Sequence, residues 1–258
     1  MASCAIVGAG GGGGAVAGGV SILDITARTE ARLGGTVVAQ GNVDVIADDA
    51  NRTAMLAGAL AIGSAGIGAG VSVVNLDKTT RASVAAGASV TALGNRGNHA
   101  VYTGADFNTR RTTARGLNVE ANSAQLGFTL ALAGAAGLGG GPGLAGVVSL
   151  TMMNVTTGAF IGNGAQINTA GANAGANAAQ DVAVTARDNT VTAAIAGSLA
   201  VGSVGLSGAL DLGIFKNTTA AYIGDNVTLN ARRDLFVSGL ANRAGNSFVL
   251  GAGGGLVG

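Results

Sequence analysis

The sequence predicts an all-β protein, a parallel β-helix or β-solenoid with coils of about 16–18 residues, and three observations predict it. Short runs such as VSVVNL, ASVTAL, NVDVIA, DVAVTA and NVTLNA alternate apolar and polar residues and close on Asn, Asp or Gly, the pattern of half-buried strands. Glycine supplies 47 of 258 residues and recurs too densely for helix, where each glycine costs about 1 kcal/mol relative to alanine. Finally, three features return in the same order four times, and self-similarity of this kind marks repeat architectures.

The first feature is a Gly/Ala-rich apolar run: AIVGAGGGGGAVAGGVSIL, LAIGSAGIGAGVSVVNL, LALAGAAGLGGGPGLAGVVSL and LAVGSVGLSGALDLGIF. The second is a threonine slot with a small-apolar-Gly tail, at Thr29, Thr80, Thr157 and Thr219; seventeen residues before each stands a glycine, Gly12, Gly63, Gly140 and Gly202. The third is a short alternating strand centred on Val45, Val119, Val184 and Val237. The intervals from Thr29 to Val45, Val45 to Gly63, Val184 to Gly202 and Thr219 to Val237 run 16 to 18 residues, while copies two and three are lengthened by insertions near 94–116 and 168–180. Taken as one coil each, these intervals predict about fourteen stacked coils, a rod of roughly 65 Å at the strand spacing, with Ala and Gly filling a narrow core. The whole of 1–258 reads as one such segment, and with no capping helix it is expected to be part of a longer chain.

Composition narrows the function classes. Charged residues make up 10% and aromatics 3%, yet hydrophobic residues reach 48%, so the chain has apolar surface to bury and is not of the disordered type. A formal charge of +1 gives no field for nucleic acid. No charged side chain occurs between Glu120 and Asp181. One cysteine, Cys4, excludes an internal disulfide and a thiolate metal cluster, and MASCAIV lacks the basic and apolar regions of a signal peptide.

Motifs weigh lightly against this background. Gly8, Gly10 and Gly13 after Ala5-Ile6-Val7 fit G-x-G-x-x-G, but GGGAVAGG is a poor helix and the other copies lose the spacing, so a structural strand is expected and no cofactor. Residues 126–153 are long and apolar enough for a membrane helix, but Pro142 among glycines breaks one, and a solenoid interior is the expectation. Asp44, Asp48 and Asp49 cluster without a calcium-loop pattern, so no metal is expected. With His99 the only histidine, no catalytic residues are assigned. Asn51, Asn154, Asn217 and Asn226 begin N-x-[ST] triplets. The insertion 94–116 concentrates Arg96, His99, Tyr102, Phe107, Arg110, Arg111 and Arg115, and it is the candidate contact surface for a host or cell-surface glycan or protein.

The stretches GAGVSVVNLDKTTRASVAAGASVTA and GIFKNTTAAYIGDNVTLNARRDLFVSG resemble the repeat regions of large bacterial exoproteins of the filamentous haemagglutinin and leukotoxin-like adhesin type, with Asn217 to Gly224 matching best. The resemblance implies a right-handed parallel β-helix, two-partner secretion to the surface of a Gram-negative bacterium, and a structural, adhesive, non-catalytic role alongside flanking segments or neighbouring copies. Two alternatives stand beside it. One is a self-assembling or membrane-associating filament subunit, suggested by the uncharged apolar runs. The other is a β-helix enzyme acting on polysaccharide, for which the carboxylates are too scattered.

Overall fold

The structure, a computed structural model, describes residues 1–257, and none of these is helical. Thirteen strands follow one another: β1 (Ala2–Gly10), β2 (Ala15–Leu33), β3 (Thr36–Ala39), β4 (Val43–Gly63), β5 (Gly66–Val84), β6 (Ser89–Ala92), β7 (His99–Tyr102), β8 (Arg110–Gly137), β9 (Gly143–Ile161), β10 (Gln166–Ile167), β11 (Gln180–Ile223), β12 (Thr228–Leu229) and β13 (Leu235–Val257). Apart from the antiparallel β7–β8 pair, every pairing is parallel.

Nine of the strands form one sheet ordered β1-β4-β8-β11-β9-β5-β2, with β13 added on β11 and β7 on β8. The 44-residue β11 takes part twice: its first half pairs with β8 and β13, its second half with β9. The sheet therefore doubles back at β11 into two facing walls. Its ends, β1 and β2, meet again across residues 11–14, so that it nearly closes as a flattened, barrel-like parallel sheet. A small second sheet, β12-β10-β6-β3, covers the edge away from the turn between the walls.

This corrects the predicted β-helix of 16–18-residue coils. Hydrogen-bonded neighbours lie much farther apart in sequence, 51 residues for Ala15 and Gly66 and 77 for Gly66 and Gly143. The interval of 16–18 residues is the distance between successive stations on a single pass of the chain, from the turn, to the base of the second wall, to the base of the first. The interval is a corner-to-corner distance and not a full coil, so neither a β-solenoid nor a repeat array of such coils forms. The long dimension turns by a right angle as well. Strands of 19 to 21 residues run about 65 Å along the walls, while the stack is only four or five strands, roughly 20 Å, deep.

Inside this frame the slots that recur in the sequence stand side by side, where coils of 16–18 residues would have set them three coils apart. Thr29, Thr80, Thr157 and Thr219 are in register, as are Val45, Val119, Val184 and Val237. The glycines align only in part, since Gly63 faces Gly137 rather than Gly140.

Burial alternates over most of the length of the walls, but the inward set changes character from base to turn. At the base, Val84, Val90, Leu117, Val119, Ile161 and Ile167 pack into a three-sided core closed by the small sheet. Asn168 closes a corner there with positive φ, its side-chain oxygen accepting from Ala92 N at 2.9 Å and its amide donating to Asn230 O at 3.1 Å. The 168–180 insertion folds beside it, tied by the buried Asn173–Gln180 amide pair. Toward the turn the inward residues shrink mostly to Ala, Gly and Ser, with Val147 and Asp211 as exceptions, because the walls touch through their backbones: a Cβ on Gly19, Gly68 or Gly143 would run into a backbone carbonyl of the facing wall, that of Gly58, Gly134 or Val201. Overpacking of this kind costs about 1–3 kcal/mol. Gly68→Ala is therefore expected to lower the Tm by several degrees, whereas Gly208→Ala, outward with open space around it, leaves it within about a degree, as followed by thermal circular dichroism.

Candidate functional site

The insertion 94–116 does not project as a free arm. Chain leaving β6 returns as β7, which pairs with the start of β8, and the tip between them is a turn built on Asp106. The Asp106 carboxylate accepts from the Thr109 hydroxyl and from the backbone N–H groups of Asn108 and Thr109, which together hold its pKa below the usual carboxylate range.

The loop is clamped from the wall beneath by Arg187 on β11. Its guanidinium lies between two rings, 3.6 Å from the Tyr102 centroid and 4.4 Å from that of Phe107, and its Nε donates to Phe107 O at 3.0 Å. Arg110 stacks on the other side of the cluster, 4.1 Å from the Tyr102 centroid, and donates to the buried Glu120 carboxylate at 2.8 Å. Desolvation lowers the Arg187 pKa, a direction without consequence for a group that keeps its proton throughout the accessible pH range.

The other predicted contact residues are engaged as well. Arg111 donates to Asp234, lies 3.6 Å from Asp181 and stacks on Phe236, while Arg115 donates to Gly94 O at 2.9 Å. His99 Nδ1 is 2.8 Å from Asp44 Oδ1. Arg96 alone of the seven is exposed with no ion pair among the described residues. The structure thus brings Tyr102, Phe107 and Arg110 together around Arg187 and leaves Arg111, Arg115, His99 and Arg96 apart. Sequence reasoning missed Arg187, Glu120, Asp181 and Asp234, which lie up to 123 residues away from their partners and carry no local signal.

The acidic trio separates by strand alternation, Asp44 and Asp48 outward and Asp49 inward. Among the described residues no three His, Cys, Asp or Glu groups lie together as a metal site. Gly8 and Gly10 lie in β1 and Gly13 in a turn between strands, so the opening glycines offer no helix N-terminus for a phosphate. Asn217 points inward, donating to Asp188 at 2.8 Å.

Asp49 instead belongs to a buried ionic row just above the base core. Lys78 is fully buried with Nζ 3.0 Å from Asp49 Oδ1, and it donates to the carbonyls of Asp49 and Ala124. Thr29 donates to the other Asp49 oxygen. Gln125, its amide oxygen turned to Lys78 at 3.2 Å and its nitrogen to Asp188 at 2.9 Å, links this pair to the equally buried Asp188. Burial lowers the pKa of Lys78 and raises that of Asp188, in each case by penalising the charged form.

The remaining feature is the half of the molecule near the turn, here called the blade. On the second wall the outward rows read Val16–Ile67–Leu144–Leu206, then Gly18–Ala69–Gly146–Gly208, Val20–Val71–Val148–Leu210 and Ile22–Val73–Leu150–Leu212. The next row is Asp24–Asn75–Met152–Ile214, with Asn75 donating to Asp24 at 2.9 Å, and beyond it come Asp77 and Lys216. The first wall matches it: from Ala54 to Ile62, Phe128 to Ala136 and Ala193 to Val201 no outward residue is charged, and Arg52 stands at the boundary. These side chains face solvent, with Ile22 65%, Leu206 61% and Phe248 59% exposed. The run 126–153, expected as a solenoid interior, is instead one leg up the first wall and one down the second, joined through Pro142, with its leucines alternating outward.

No protein-family model, curated protein or solved structure matches the chain.

Two outcomes test this geometry. Arg187→Ala removes the clamp under the 94–116 loop, so trypsin is expected to cut at Arg96, Arg110 or Arg111 at least tenfold faster while the global Tm moves little. Because Asp188 holds its proton to higher pH in the folded state than in the unfolded one, it withdraws stability as pH rises from the ordinary carboxyl value through its own raised one. Asp188→Asn keeps the acceptor for Asn217 without the charge. The variant's Tm relative to the parent is expected to rise as pH is raised above the ordinary carboxyl range and to stay level below it.

Proposed function

We propose that the chain is a non-catalytic structural module that attaches to apolar surroundings through its blade and keeps its polar base in water. The observation that carries this reading is the run of uncharged, outward-facing apolar rows on both walls. Each wall offers a patch of roughly 500 Å² from four strands and four rows, whereas monomers in water rarely expose contiguous apolar patches beyond a few hundred Å². Scattered exposed leucines would need no explanation; aligned rows with an abrupt acidic border do.

Support for the loop 94–116 as a glycan- or protein-binding surface is correspondingly weaker. Binding through it needs guanidinium and ring faces that are open, and here Arg110, Arg111, Arg187, Tyr102 and Phe107 spend theirs on one another and on Glu120, Asp181 and Asp234. The base that carries them serves as the water-facing root of the blade.

Retention on an octyl-bearing matrix at low detergent tests the reading. Leu132→Lys combined with Leu250→Lys places two charges on the first wall's outer face and is expected to reduce retention at least tenfold. Arg96→Ala, on the exposed part of the loop, leaves it unchanged. Retention that ignores the blade substitutions and follows the loop overturns the proposal.

A further inference from the structure

Three features of the blade's surface bear on what covers it. Its height is the first. From Ala15 to the Asp24 row, and equally from Gly66 to Asn75, nine residues of strand span about 30 Å, and on the first wall Gly63 to Arg52 spans slightly more. The hydrocarbon of a bilayer is about 30 Å thick.

The second is texture. Large residues on one strand alternate with glycine on the next, as in the rows Ile6–Gly58–Leu132–Gly197–Leu250 and Gly8–Leu60–Gly134–Leu199. Leu60 and Leu132 lie over the neighbouring Gly134 and Gly197, where a Cβ would touch them at 2.9 and 3.0 Å. The leucines therefore fold down into gaps of the adjacent strand and present a surface of low relief. A second folded chain binds tightly through matched, close-packed shapes, whereas acyl chains need no fixed complement.

The third is continuity. Both walls are apolar, and the turns joining them, residues 11–14, 64–65 and 138–142, carry no charge. A protein docked on one wall leaves the other in water; only a fluid surrounds both walls and the tip together.

We propose that the blade enters the hydrocarbon of a lipid bilayer tip first, with Arg52 and the Asp24–Asn75 row at headgroup level; this rests on the apolar-attachment reading and names the apolar phase. Within each wall the main-chain groups are already paired by the parallel ladders, as hydrocarbon demands. The glycine turns, whose backbone groups are less completely paired, lie some 30 Å from the acidic row, at the far headgroup level. Among the described residues the exceptions are the edges at β1, β2, β13 and the second half of β11, which pairs only with β9; their blade halves carry no lysine or proline, and the one charge there, Asp211 on β11, faces the space between the walls and accepts from the Ser247 hydroxyl. Inserted copies therefore pair edge to edge.

The chain contains no tryptophan, so a single introduced one reports its own surroundings. Leu206→Trp, Leu212→Trp and Lys216→Trp place a reporter near the tip, just inside the acidic row and outside it on the same strand, β11. With neutral phosphatidylcholine vesicles the protein is expected to float with the lipid. Acyl-chain-brominated lipid is expected to quench the first two reporters at least twofold more than the third. Leu144→Lys, in the outermost apolar row, should lower vesicle partitioning at least tenfold. Protein that is retained on the octyl matrix but ignores vesicles, running instead as a discrete dimer with the first two reporters shielded, overturns the lipid assignment in favour of a second copy and leaves the apolar-attachment reading standing. Equal quenching at all three positions overturns tip-first entry.

Discussion

Everything in this molecule follows from how closely its two walls approach. Where Gly19, Gly68 and Gly143 meet the carbonyls of Gly58, Gly134 and Val201, there is no room between the walls even for a methyl group, and most of the inward positions nearby are Ala, Gly or Ser. A sheet this thin cannot bury Leu or Ile inside itself. Its large apolar residues can only point outward, so the usual assignment of apolar to the inside and polar to the outside is inverted over the blade. Stability there comes from continuous parallel ladders and from close packing of small groups, not from bulky side chains removed from water.

Toward the base the walls separate, and the inward residues record the widening in order: Ser72, then Val74, Leu76 and Lys78 on β5, with Ser149, Thr151, Met153 and Val155 beside them on β9. Beyond this point the small second sheet is needed as a third side to close the gap. The buried Lys78–Asp49 pair sits where the space is too wide for alanine and not yet closed by the small sheet. A long side chain fills it, and its ammonium finds one carboxylate, two backbone carbonyls and the Gln125 amide oxygen as partners. Such a pair contributes little net stability against apolar residues of equal size, but breaking it by removing one partner is costly. Its main consequence is geometric, since it fixes wall spacing at the level where the blade begins.

Sequence reasoning reached the strands, the parallel arrangement and the recurrence of the threonine and valine slots along the chain, because those depend on period-two alternation and on like residues recurring at like stations; it did not reach their pairing, since coils of 16–18 residues would hold successive slots apart. It missed the size of the pass. Alternation shows that neighbouring residues face opposite sides without showing which side is inside, and a row such as Leu144–Ala145–Gly146–Val147–Val148 satisfies either choice. Taking the leucines as interior made the blade a core and each leg a coil. The clamp on the 94–116 loop was illegible for a different reason: Arg187 meets Tyr102 and Phe107 across 80 or more residues, and only the fold brings them together.

The inversion also accounts for where charge is allowed. Outward charges return on both walls at nearly the same height, at Arg52 on one and at Asp24 and Asp77 on the other, although the two segments share no sequence pattern there. That level matches the height at which the inward residues become large enough to form an ordinary core. Below it the interior satisfies the hydrophobic residues and the surface is free to be polar; above it the interior is full of backbone and only the exterior remains for them. The border is thus a single structural event seen from two sides, the point where the walls part.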